Sequence, residues 1–336
     1  MKKSILETLL DDFIPSIRKG FLDAIRGIVD NVRLTHVEEA IKLGDPVGAL
    51  RAIGLEGGAF RPLEKALETA FETGGVTVAD SVPRSATQAV FRFDVRNSRA
   101  EKFLREQSSG LITRVTDDTR VAVRNIITEG VQAGRNPRNI ALDIVGRVNP
   151  VTKQREGGIV GLTAPQERWV ANARIDLNTL SERYFSRTAR DKRFDKTVRA
   201  AIASGKPLSP DTIDKLLGKY KDNLLLVRGE GIARTEAINS LNRSEQESIK
   251  QAVEQGAAKA SQVKRIWDSA GDKRVRDSHA AMDGQEVGLD EPFKTPDGAV
   301  LMYPGDSSMG APGEEVINCR CRVRLSVDWL AGARDG

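Results

Sequence analysis

Apolar residues near the start of the chain recur at a helical interval. Ile5, Leu9, Phe13, Ile17, Phe21 and Ile25 fall every four positions, with Leu10, Ile14 and Leu22 beside them. That spacing lays them along one stripe of an amphipathic helix. Pro15 lacks an amide hydrogen and crowds the preceding turn, so a break or kink is expected near Ile14. A second helical piece is expected over 33–43, then short helices divided by Gly and Pro. Residues 74–98 read as a loop with a strand at 90–95, a natural place for a hinge. From 99 to 255 the pattern turns helical again: Phe103, Leu111, Ile112, Val115, Val123, Ile126 and Ile127 keep the spacing. Asn136 before Pro137 and Ser209 before Pro210 are helix starts, and Thr163 with Gln166 three residues on forms a capping box. The stretch 149–162 reads as an exposed loop.

The pattern changes after Gly256. Apolar residues now come in short runs, "VKRIW", "AVLMY" and "CRVRL", separated by turn formers such as "PDG" and "YPGD". Such runs predict strands joined by tight turns. The expected fold is mainly α, a long helical body with a small C-terminal α+β module. The expected divisions are an N-terminal helical region at 1–98, the body at 99–255 and the module at 256–330.

Composition narrows the function classes. With 52 Lys+Arg against 47 Asp+Glu the net charge is +5, mildly basic. The densest basic stretches, 187–199 and 264–276, are both diluted by acids, which favours solvated helix faces over a nucleic-acid patch. The two cysteines stand two residues apart, where a mutual disulfide would be strained, so a disulfide-stapled secreted protein is not expected. Acids interrupt the first apolar stretch, and no apolar run approaches the ~18 residues a membrane span needs. A soluble protein of a reducing cytoplasm, with no membrane partner, is the expectation.

One histidine and both cysteines fall in the last part of the chain: His279 in "SHAAMDG", Cys319 and Cys321 in "NCRC". A cysteine nucleophile would need His279 as its base, since His36 lies in the N-terminal helices. Two thiols facing one way among arginines suit that poorly. Zinc suits them better: Cys-x-Cys on a strand can chelate one ion, and His279 can add a third ligand. A structural zinc site takes four ligands, and Asp272, Asp277, Glu314 and Glu315 are all candidates for the fourth. The plainer reading is two half-buried thiols and a histidine bonded to a turn. Asp268, Asp272, Asp277, Asp283 and Asp306 match no nuclease-like carboxylate spacing, and "DGQ" and "PDG" are turns. Trp267 and Tyr303 are expected as core anchors of the small module. No Walker motif, no GxGxxG after a strand and no HExxH occurs.

The order of elements carries a resemblance. "IARTEAINSLNRS", "VKRIWDSAGDKRVRDSHAAMDGQEV", "PF", "YPGD" and "EEVINCRCRV" together resemble the phage Mu F-like head morphogenesis family of minor head proteins, over roughly 230–325, with a looser helical likeness upstream to about 100. The resemblance implies a structural motif of Arg234, Glu236, Trp267, Asp268, Arg276, His279, Asn318, Cys319 and Cys321. In family members with a Cys-x-x-Cys element, a histidine just before "NCRC" completes a zinc-like set. Here Arg276 and His279 stand in place of those cysteines, and Glu315 or Val316 stands near the histidine. The implied role is non-enzymatic: a minor head protein of a tailed phage, in the virion at the portal vertex or head interior and in host cytoplasm during assembly. Its implied partners are the portal protein, major capsid or scaffold proteins, and packaged DNA. The alternatives are a nuclease or toxin-like enzyme built on the C-terminal module, or a general DNA-binding protein.

Overall fold

The computed structural model describes residues 5–81 and 91–328. In chain order it contains α1 (Ile5–Asn31), α2 (Leu34–Lys42), α3 (Pro46–Ile53), α4 (Arg61–Ser81), α5 (Ser98–Gln132), α6 (Pro137–Val145), β1 (Arg147–Val148), β2 (Arg155–Glu156), α7 (Ala164–Asn178), α8 (Asp195–Ser204) and α9 (Pro210–Glu254). Then follow β3 (Val263–Asp268), α10 (Asp277–Ala281), β4 (Glu286–Gly288), β5 (Phe293–Lys294), β6 (Val300–Leu301), α11 (Gly313–Val316) and β7 (Arg322–Val327). The fold is mainly α with a small α+β part near the C-terminus. α9 stops at Glu254, and Gly256 follows with φ +75°, where the composition shift was read.

The start signals are where the sequence placed them. Asn136 accepts from the Arg138 amide, with Pro137 opening α6. Thr163 Oγ1 accepts from the Gln166 amide, and Gln166 Oε1 accepts from the Thr163 amide, closing the capping box of α7. Ser209 Oγ accepts from the Thr212 amide ahead of α9.

Three expectations need correction. α1 continues through Pro15, so of the break or kink expected near Ile14 the break does not occur. The lost hydrogen bond costs about 3 kcal/mol, and the buried stripe of Ile17, Phe21, Ile25 and Ile28 offsets it. Residues 74–81 are not loop but the last turns of α4. Gly74 and Gly75 serve there as close-approach points: a Cβ on Gly74 would lie 2.3 Å from Ser244 Oγ, and one on Gly75 2.3 Å from the Phe93 ring. Ser248 Oγ also donates to the Gly75 carbonyl. Of the strand read at 90–95, Phe91–Asp94 is not strand, and 82–90 lies outside the described residues. The 149–162 connection is exposed only in its first half. Ile159, Val160 and Leu162 are buried, and the Ile159 amide donates to the Ile144 carbonyl.

Contacts divide the chain into two compact units, each assembled from separated stretches. One comprises 19–63 and 109–229. Its apolar core includes Phe21, Phe60, Leu63, Val123, Ile127, Ile144, Leu162, Tyr184 and Leu217. Within it lies a buried carboxylate, Asp143. Asp143 accepts from Lys221 Nζ at 2.8 Å and from the Arg174 guanidinium at 3.1 Å, with Arg135 as a further donor. Burial alone would raise the Asp143 pKa, but Lys221 and Arg174 hold it well below the usual carboxylate range. The basic 187–199 stretch is also neutralised locally: Arg187 pairs with Asp176, Arg190 with Asp195 and Arg193 with Asp191. Those three pairs take up part of the positive charge of the stretch.

The other unit comprises 1–18, 64–108 and 230–336. It holds the antiparallel sheet β4-β3-β7, in which Arg265 faces Val287 and Leu325, and Trp267 faces Val323. β5 and β6 form a separate two-stranded pair. Trp267 and Tyr303 are buried with Phe293, Met282 and Val323, as expected of core anchors. Arg265 is buried as completely as Trp267. Its guanidinium donates to the carbonyls of Gly288, Met302 and Glu291 and sits over the Phe293 ring. Burial lowers its pKa to about 10, so it stays charged at neutral pH.

Two outcomes are expected. Arg265→Ala strands three carbonyls and opens a cavity, each a cost of ~1–3 kcal/mol; chemical denaturation should show a loss of several kcal/mol, and Arg265→Lys, which lacks the planar fork, should recover only part of it. Glu167 is buried with Oε2 unpartnered. Burial, then the nearby Glu129, pushes its pKa from 4.5 up to about 7. The folded chain therefore keeps a proton that the unfolded chain gives up, and the stability this contributes at low pH is lost as pH rises from about 4.5 through about 7. Glu167→Gln should flatten the melting temperature across that window, removing a pH-dependent term on the order of 3 kcal/mol; an unchanged pH profile would exclude Glu167 as its source.

Candidate functional site

The site is built on β3, on the short helices α10 and α11, and on the strand entry that follows α11. β3 is central in its sheet: Ile266 is paired on both sides, and Asp268 with β7 alone. Asp268 lies opposite Arg322 in register, and Arg322 Nε donates to Asp268 Oδ2 at 2.6 Å. Cys319 and Cys321 do not lie on β7 but in the extended segment just before it. The alternation expected of a strand still holds there: Cys319, Cys321 and Val323 are buried while Arg320 and Arg322 are partly exposed. The two thiols therefore share the inner side, as period-two geometry requires.

His279 sits on helix α10 rather than on a turn, and it is 1% exposed. Its ring meets Trp267 edge-on at 5.0 Å between centroids. Nδ1 lies 3.5 Å from Cys319 Sγ and 3.6 Å from Cys321 Sγ. The three donor atoms lie within 4.8 Å of one another, and all three residues are buried. On the other side of the ring, Glu315 Oε2 is 2.8 Å from Nε2, though not aligned as a hydrogen bond. Ser278 Oγ donates to that same carboxylate oxygen at 3.0 Å.

The thiols divide their protons unequally. Sharing of a hydrogen bond with Cys319, and contact with His279, push Cys321 down to about 5 against the opposing effect of burial. The same sharing, and burial, push Cys319 up. One thiolate stabilised by an imidazole and a neighbouring thiol is a good ligand for a soft or borderline cation. It is a poor nucleophile for an outside substrate here, because Cys319 and Cys321 are only 1% and 2% exposed.

The remaining motif residues separate into frame and surface. Arg276 donates to the Ile317 carbonyl, tying the start of α10 to the end of α11. Asn318 has φ +56°, the left-handed region, and its amide donates to Thr235 Oγ1 on α9 at 3.0 Å. Glu236, next along α9, is buried and accepts from Gln107 Nε2 at 2.9 Å. Arg234 is about half exposed and pairs with Glu230 one turn back, so it belongs to the surface. Asp272 is held by Arg320 and Arg274, which keep its carboxyl well below the usual range. Among the described residues no carboxylate joins the three donor atoms as a fourth ligand.

Thr235, Asn242 and Arg265 escape the sequence reading. Asn242 Nδ2 donates to the Pro304 carbonyl, and its Oδ1 accepts from the Val323 amide. Thr235 sits inside "ARTE", between the two residues singled out there. Buried polar residues on a helix otherwise rich in Leu and Ile are the signal that could have drawn attention to Asn242.

The profile of the family described as phage Mu protein F like protein matches residues 121–324, more than half of the chain. Minor head protein GP7 of Bacillus phage SPP1 is 31% identical over 105 residues, 31% of this chain and 32% of that protein. An NAD(+)–arginine ADP-ribosyltransferase EFV of Enterococcus faecalis is 33% identical over 100 residues, 30% of this chain and 19% of that protein. The chain thus spans a third or less of the length of these curated relatives. No solved structure matches it.

The Asn318 backbone sets up a clear expectation. Asn318→Gly should be near neutral, because glycine accepts φ +56° freely. Asn318→Val keeps the amide that bonds Thr235 but forces a β-branched residue into the left-handed region, a cost of roughly 1–2 kcal/mol. Equal urea midpoints for the two variants would show that this backbone conformation is not maintained in solution.

Proposed function

On the premise that this chain belongs to the phage Mu protein F-like family, we propose that it is a minor head protein of a tailed phage that acts in head morphogenesis by binding other head components. The observation that carries this reading is the family match across 121–324, joined to the similarity with the SPP1 minor head protein. The structure is compatible with it. Asn318 of the motif meets Thr235 on α9, and Asn242 and Gln246 of α9 bond backbone groups of the C-terminal region, which ties the long helix to the small core. No helix among the described residues is long and apolar enough to cross a membrane. In this reading the protein resides in the virion head, and its partners are the portal protein or the major capsid protein.

An enzymatic reading has less support. The segment shared with the ADP-ribosyltransferase is 19% of that protein's length. The thiol–imidazole cluster, where nucleophilic chemistry would be sought, is sealed from solvent.

Co-expression of the chain with its phage's portal and major capsid proteins, followed by affinity capture and size exclusion, tests the proposal. Stoichiometric co-elution with portal, capsid or assembled procapsids is expected. Failure to associate with any of them, together with absence from purified virions and procapsids by mass spectrometry, would overturn it.

A further inference from the structure

We propose that Cys319 Sγ, Cys321 Sγ and His279 Nδ1 bind one zinc ion, with Glu315 as the positioning residue behind the histidine. The inference is independent of the head-protein reading.

The spacing of the donor atoms is the first argument. Zinc bonds thiolate sulfur at about 2.3 Å and histidine nitrogen at about 2.0–2.1 Å, so a sulfur and a nitrogen on one tetrahedral ion lie about 3.6 Å apart. The observed separations from Nδ1 are 3.5 Å to Cys319 and 3.6 Å to Cys321. A metal-free alternative is a chain in which Cys319 bonds Cys321 and Cys321 bonds Nδ1; it accounts for the Cys321 separation but gives no reason for Cys319 to stand equally close to the same nitrogen. Two sulfurs equidistant from a single nitrogen fit a cation shared among the three atoms.

The second argument is the far side of the ring. A metal-bound histidine usually gives its other N–H to a carboxylate or carbonyl, which fixes the tautomer and the ring orientation. Glu315 Oε2 stands 2.8 Å from Nε2 and is itself steadied by Ser278 Oγ. Nε2 is buried without an aligned hydrogen bond in this structure, and a small rotation of the ring or carboxylate would let it donate to Glu315, with Nδ1 left to face the thiols. The Trp267 edge confines the ring further.

The third is the surrounding. Met282, Phe293, Tyr303 and Val323 enclose the thiols in an apolar shell. A dry shell keeps competing water off the thiolates and strengthens their attraction to a cation. Binding releases the protons still held by the two thiols to solvent, and the resulting pair of thiolates neutralises the ion. Three protein ligands leave the fourth tetrahedral position to a donor from outside this set.

The test uses the full chain, purified under reducing conditions, stripped with a chelator and then titrated with Zn²⁺ and separately with Co²⁺. About one metal per chain by elemental analysis is expected, together with a thiolate-to-cobalt charge-transfer band of two-thiolate intensity and protection of both cysteines from alkylation. Cys319→Ser and Cys321→Ser should each halve the charge-transfer intensity or abolish binding. Glu315→Gln should keep the stoichiometry but weaken affinity about 10–100-fold, the usual effect of losing such an outer partner. If the cysteine variants fail to fold, the wild-type cobalt spectrum and alkylation protection still decide. No metal uptake, uptake without thiolate bands, or uptake unchanged in His279→Ala would overturn the site. Unchanged affinity in Glu315→Gln would overturn the role given to Glu315.

Discussion

A guanidinium removed from water is costly unless each N–H finds an acceptor in a rigid, well-placed arrangement. Arg265 meets that condition by donating to the carbonyls of Gly288 and Glu291, which close one turn after β4, and of Met302 just after β6. Those turns have little regular structure of their own: β4 is three residues long, and β5 and β6 are two each. Ladder hydrogen bonds alone hold such fragments weakly. The buried arginine substitutes for a longer sheet, and its charge makes any opening of the turns expensive. Trp267 is two residues along the same strand and on the same face, so the placement of Arg265 also places the indole against which His279 is set.

The long helix α9 fastens this region through polar contacts rather than through an apolar stripe alone. Thr235 accepts from the Asn318 amide, Asn242 bridges the Pro304 carbonyl and the Val323 amide, and Gln246 donates to the Leu289 carbonyl. These residues recur at helical intervals on one face of α9. Each satisfies a backbone group that the short strands cannot satisfy for themselves, which is why a helix interior carries so many buried polar side chains. Gly305, with φ +90°, allows its loop to approach the helix: a Cβ there would meet Ile238 at 3.1 Å. The docking of α9 on these turns therefore rests mainly on Thr235, Asn242 and Gln246, with Asn318 alone of the motif residues among their hydrogen-bond partners.

Much of this was readable from the chain. Helical periodicity, the three proline-backed starts and the capping box at Thr163 depend on neighbours within four residues, and local chemistry suffices to settle them. The switch to short strands after Gly256 is likewise a local change of period. The common side of Cys319 and Cys321 follows from alternation in an extended segment, whether or not that segment is counted as strand. Other features were decided by tertiary structure. α1 passes through Pro15, and α4 through Gly74 and Gly75, because packing elsewhere along each helix outweighs a local penalty or needs the missing side chain. Arg265 looks like an outward-facing charge in "VKRIW"; only the convergence of three distant carbonyls makes burial tolerable. The meeting of His279 with the two thiols, across forty residues, and the placing of Glu315 behind the ring rather than as the fourth ligand for which it was one of four candidates, depend on how α10, α11 and the segment before β7 pack together. Sequence determined which chemistry was on hand. Tertiary structure decided which groups share one nitrogen's reach, because contact between residues far apart in sequence is set by the packing of the elements that carry them.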